Sequence, residues 1–110
     1  MQFFEIENTL VCLFSGRLDE RICSEVEHDL LQRVSEFKKD REEVHMNFDL
    51  SEVSFISSPF LRLCLICFKQ FGKDHFSVKN VSANIYQVFH ISGFTDMMHV
   101  TLTAPQEHDS

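Results

Sequence analysis

Residues 44–50, Val-His-Met-Asn-Phe-Asp-Leu, alternate strictly, with apolar side chains at every even position. A period of two turns successive side chains to opposite faces, so the segment predicts a β-strand with one buried face. Thr9–Phe14 is a nearly continuous apolar run of strand length, the pattern of a central strand. Phe3–Glu7 alternates in part and reads as an edge strand, with Asn8 as the turn that follows it. Phe76–Val81 predicts a further strand, and Met97–Leu102 a last short extended segment.

Between these segments the period lengthens. Ile22, Val26, Leu30, Val34 and Phe37 are spaced four, four, four and three, one stripe of an amphipathic helix of about five turns. Asp19 is placed to cap it, after a Ser15-Gly16-Arg17-Leu18 stretch expected to break the preceding strand, and Lys38–Glu43 forms its charged exit. Pro59–Phe71 is apolar almost all round and predicts a second helix ending at Gly72. Ser58 reads as its cap and Pro59 as its first residue, where proline's missing N–H costs nothing. Phe60, Cys64, Cys67 and Phe71 form a second stripe on that helix, read either as a thick core or as an interface. A third helix runs from a Ser82 cap to about Ser92, with Val81 and Tyr86 as a hydrophobic staple and Gly93 as the stop.

The order β-β-α-β-α-β-α-(β) predicts an α/β domain, a mixed sheet of four or five strands packed against helices. The domain is expected over residues 1–103. The last seven residues, Ala-Pro-Gln-Glu-His-Asp-Ser, read as a polar tail that frays.

Composition narrows the chemistry. A chain of 110 residues holds one core, and 44% hydrophobic content with 3 Gly and 2 Pro is that of a globular chain. The net charge of −7 opposes nucleic acid or an anionic membrane as partner, since both need clustered Lys and Arg. No apolar run approaches the ~18 residues of a membrane span, and Met1–Glu5 has no basic region leading into an apolar one. A cytoplasmic protein without membrane insertion is expected, with Cys12, Cys23, Cys64 and Cys67 reduced.

Cys64 and Cys67 match C-x-x-C but fall inside the second helix rather than at its start, so they read as small core residues. The six His show no ligand spacing, no glycine-rich nucleotide loop exists, and no catalytic triad or carboxylate pair can be assembled. Neither metal, cofactor nor enzymatic activity is expected. What the residues themselves leave is a hydroxyl at a helix start. Ser58 is there either as a cap or as a place where phosphate would be favoured by the helix dipole and unpaired N–H groups.

Four segments in order resemble one family, the STAS domain, named for sulfate transporters and anti-sigma factor antagonists. Ser15-Gly16-Arg17-Leu18-Asp19 resembles its G-x-L-D turn, and Phe48–Ile56 its D-L-S-x-V-x-x-I strand. Ser57-Ser58-Pro59-Phe60-Leu61-Arg62 occupies the place of its D-S-S-G-L or S-S-A-G-L-R signature, and Asn80–Phe94 resembles its closing helix. The resemblance spans residues 4–102. It implies a STAS-like fold and a regulatory role in which an anti-sigma factor that is also a serine kinase binds and phosphorylates the protein. The phosphate acceptor then corresponds to Ser58, with Asp19 close to it, and the partner surface to Asp19, Ser57, Pro59, Phe60 and Arg62. The chain departs from the signature at Ser57, where Asp is usual, and at Pro59 and Phe60, where small residues are usual. These departures bear on kinase recognition. They also raise an alternative, a STAS module that is not phosphorylated and serves as a structural subunit of a transporter or signalling assembly. Phe60 is expected to stand exposed beside Ser58 as an interface anchor, and the resemblance admits a homodimer.

Overall fold

A computed structural model describes residues 1–103, so the tail expected over 104–110 lies outside the described residues. The elements are β1 (Gln2–Ile6), β2 (Thr9–Leu18), α1 (Glu20–Lys38), β3 (His45–Ile56), α2 (Ser58–Phe71), β4 (Phe76–Val81), α3 (Ala83–Ile91), a 3-10 turn (Phe94–Asp96) and β5 (His99–Leu102). They form one five-stranded sheet in the order β1-β2-β3-β4-β5. β1 is antiparallel to β2 across a two-residue turn, and the remaining neighbours are parallel. The mixed α/β architecture expected from the element order is the one observed.

Each parallel connection steps one strand in the same direction, and a right-handed crossover then places every helix on the same face. The burial pattern follows this. Leu10, Cys12 and Phe14 of β2, Met46, Phe48 and Leu50 of β3, and Phe76 and Val78 of β4 are buried. Their alternates Thr9, Val11, Leu13, Asn47, Asp49 and Ser77 are half-buried, and His45 and Lys79 are exposed. β2 is therefore covered on one face only, although its apolar run suggested two. α1 covers the sheet with Cys23, Leu30, Val34 and Phe37 buried, while Ile22 and Val26 of the expected stripe are half-buried.

Two boundaries differ from the sequence reading. β2 does not stop before Ser15. It continues to Leu18 beside β3 through register shifts between Leu13 and Ser15 and between Gly16 and Arg17, where Gly16 takes φ 79°. A bulge with glycine in the left-handed region re-aims a strand without ending it. β3 likewise runs to Ile56, so the two central strands extend together to the start of α2. At the other margin, Asp49 accepts hydrogen bonds from the Ser51 backbone N–H (2.9 Å) and the Asn80 side chain (3.1 Å). Asn80 has φ 59°, a conformation Asn tolerates, and the bond ties the end of β4 to β3.

Candidate functional site

α2 begins at the carboxyl ends of β2 and β3, where Leu18 pairs with Ile56. Its cap position is Ser57, with extended φ −114° and ψ 171°, and Ser58 is the first helical residue. The expected assignment of Ser58 as cap and Pro59 as first residue is thus one position late. Ser57 takes the boundary backbone, and its carbonyl accepts the first helical bonds from the N–H groups of Phe60 (3.0 Å) and Leu61 (3.2 Å). Proline at the second position still lacks only a donor that the helix start would leave unpaired.

The Ser57 hydroxyl does not cap its own helix. It donates a 2.7 Å hydrogen bond to the Leu18 carbonyl, the last residue of β2. The Cys23 thiol lies 3.6 Å from that same carbonyl and 3.8 Å from the Ser57 hydroxyl, so one residue from each of β2, α1 and α2 meets here. Next to Leu18, Asp19 caps α1 by accepting from the Ile22 N–H at 3.0 Å. Burial pushes the Cys23 thiol pKa up, the Ser57 contact opposes this, and the negative charge of Asp19 adds to the rise. The thiol therefore acts here as a neutral donor, not a thiolate.

Ser58 differs from Ser57 in every respect. Its side chain is exposed and makes no hydrogen bond among the described residues. Two positions along a helix amount to a rotation of roughly 200°. Because Phe60 faces the core, Ser58 faces outward, in line with exposed Arg62 one turn further on. Arg62 donates a 2.9 Å hydrogen bond to Glu27 of α1. No acidic residue lies in the first turn of α2, so the positive end of that helix is uncompensated from within.

Phe60 corrects an expectation. It is 0% exposed, not a surface anchor. Its ring stands edge-on to Phe14 with centroids 5.1 Å apart and lies 5.8 Å from Phe48. The stripe Phe60, Cys64, Cys67 and Phe71 is buried on the face α2 turns to the sheet. The interface reading of that stripe is withdrawn. Leu61, Leu65, Ile66 and Phe68 of the helix are half-buried instead.

Of the residues the sequence singled out, the structure brings Asp19, Ser57, Ser58, Pro59 and Arg62 to one end of the sheet and removes Phe60 to the core. Four further residues belong to this end. Cys23 and Glu27 of α1 contact Ser57 and Arg62, and Arg17 lies over the half-open ring of Phe55 at 4.3 Å from its centroid. Helical spacing from Asp19 brackets Cys23 and Glu27 as one side of α1; Arg17 and Phe55 become partners only through the shifted register of β2 on β3. Cys64 and Cys67 are buried inside α2, where burial raises both thiol pKa values, that of Cys67 up to about 12. They are core residues.

Solved structures share this fold. The unphosphorylated anti-sigma factor antagonist SpoIIAA superposes with a TM-score of 0.71 over 91% of this chain and 86% of that one, at 19% identity. The phosphorylated form of SpoIIAA, a Bacillus cell fate determinant, gives 0.64 over 91% of this chain and 89% of that one, also at 19% identity. The chain has the STAS fold. Neither family models nor curated proteins match the chain by sequence. The STAS architecture in this chain is therefore carried by its apolar pattern and turn chemistry, with few identical residues. Among the described residues no helix is long and apolar enough to cross a membrane.

Proposed function

We propose that this protein is an anti-sigma factor antagonist-like partner switch, bound by an anti-sigma factor that is also a serine kinase and controlled by phosphorylation at Ser58. The observation that carries this reading is the division of labour between two adjacent serines. Ser57 is occupied in holding the end of β2 against the start of α2, whereas Ser58 is exposed and free of structural duty. A hydroxyl that stabilises nothing can be modified without disturbing the fold.

Phosphate at this position adds about −1.5 to −2 charge at the positive end of α2. The helix start tolerates it, and Arg62 is within one turn to pair with it in exchange for Glu27. A partner surface fitted to the neutral hydroxyl does not tolerate it. Phosphorylation then releases the partner while leaving the domain folded. Asp19, Ser57, Pro59 and Arg62 frame the acceptor in this proposal, with Arg17 and Phe55 beside them.

The reading of the chain as a non-phosphorylated structural module rested in part on a bulky Phe beside the acceptor. The burial of Phe60 removes that obstruction, because the side chain next to Ser58 does not reach the surface. The deciding experiment is incubation with the cognate anti-sigma factor kinase and ATP, followed by intact mass. Addition of one phosphate to wild type and to Ser57→Ala, and none to Ser58→Ala, supports the acceptor; phosphate retained in Ser58→Ala refutes it.

A further inference from the structure

β1 leaves a complete strand edge without a partner among the described residues. The hairpin turn closes between Ile6 and Thr9, and in a two-residue hairpin the closing pair is hydrogen-bonded to its opposite number. Ile6, Phe4 and Gln2 therefore spend their backbone groups on β2, and Phe3 and Glu5 turn their N–H and C=O outward. Residues 2–6 contain no proline, lysine or bulge. On the face of the sheet away from the helices, Phe4 is 46% and Ile6 62% exposed, beside half-buried Val11 and Leu13.

The helix-side face of the same strand carries charge. Glu5 accepts 3.1 Å bonds from both Arg33 and Arg41, and the Arg33 guanidinium lies 5.1 Å from the centroid of the Phe3 ring. One carboxylate thus serves two guanidinium groups, and Asp29 and Glu36 line the same cleft as Phe3 and Arg33.

We propose that this edge is a homodimer interface, in which two copies of the chain pair their β1 strands antiparallel about a two-fold axis at Phe4. That register is the one the observations select. It sets Phe3 opposite Glu5 of the second copy, so that all outward backbone groups of both residues are bonded, four hydrogen bonds in total. The second copy's Glu5 then comes alongside Phe3 and Arg33, and the two-fold repeats the contact. Phe4 meets Phe4 of the second copy at a non-hydrogen-bonded pair, the type with the closer side chains. The apolar patches of the two copies become continuous on the open face. β1 pairs only with residues 9–13 of β2, the half remote from Leu18, so the interface leaves Ser58 accessible and stands independently of the proposed switch.

One edge strand per copy is a small contact, which predicts a weak, concentration-dependent dimer. Sedimentation equilibrium of wild type over rising concentration is expected to show the average mass moving from one chain toward two. Phe4→Lys is expected to weaken the dimer at least tenfold with an unchanged melting temperature. Phe4→Cys, whose thiols would oppose each other at a Cα separation a disulfide accepts, is expected to form a covalent dimer on copper-phenanthroline oxidation. His99→Cys, on the opposite edge strand, is expected not to. A wild type that keeps single-chain mass throughout, a Phe4→Lys protein that dimerises as wild type does, or Phe4→Cys cross-linking no better than His99→Cys each overturns the proposal.

Discussion

The Ser57 hydroxyl donates a 2.7 Å hydrogen bond to the Leu18 carbonyl, joining residues 39 apart in sequence at the point where β2 ends and α2 begins. Leu18 is the last residue of its strand, paired with Ile56 of β3. Removing the donor leaves the Cys23 thiol, at 3.6 Å, as the side-chain contact to that carbonyl. Ser57→Ala is expected to cost about 1 kcal/mol of stability. Ser58→Ala, one residue on, is expected to change stability by less than about 0.5 kcal/mol. Urea unfolding of the two variants measures the contrast, and equal effects would contradict the division of labour between the serines.

Phe60 fills the space between Phe14 and Phe48 beneath the first turn of α2. Phe60→Ala is expected to destabilise the domain by about 3–5 kcal/mol, through lost transfer energy and the cavity left behind. Phe60→Leu is expected to retain most of that stability. Thermal melts of both variants test this without any partner present.

Asp19 stabilises α1 through a single geometry, the 3.0 Å bond from the Ile22 N–H. Asp19→Ala is expected to cost about 1 kcal/mol, and Asp19→Asn a few tenths, because Asn caps as well as Asp. If Asp19 also contributes to the partner surface, Asp19→Asn separates the roles. It keeps the cap and removes the charge, so weakened binding at unchanged stability assigns the loss to the carboxylate.

The four buried thiols predict a pH response. Burial raises the pKa of each, that of Cys67 to about 12, so the folded chain holds protons that the unfolded chain releases from about pH 8.5 upward. The native state binds more protons, so stability is full below that value and falls as pH rises through the window toward 12. The slope is about 1.4 kcal/mol per pH unit for each thiol that must stay neutral. Urea midpoints at pH 7.5 and pH 10 are expected to fall accordingly, and Cys67→Ala is expected to show a shallower decline. In the native protein at neutral pH, thiol reagents are expected to react slowly at all four positions.

Much of this fold is local enough to be legible in the chain. The alternation over 44–50, the four-four-four-three spacing after Asp19 and the caps at Asp19 and Ser82 depend on periods of two and 3.6 and on short-range hydrogen bonds. Each of these holds whatever the rest of the molecule does. Position within the tertiary structure decided the rest. The half-covered β2 follows from all three helices packing on one face, a property of strand order that no single segment encodes. Phe60 went to the core because the direction of α2 is set by its docking on the sheet, and a helix apolar almost all round offers more than one stripe that could go in. The cap position fell on Ser57 instead of Ser58 for a similar reason. Two adjacent serines are chemically equal in sequence, and only the arrival of the Leu18 carbonyl, from 39 residues away, made one of them structural and left the other free.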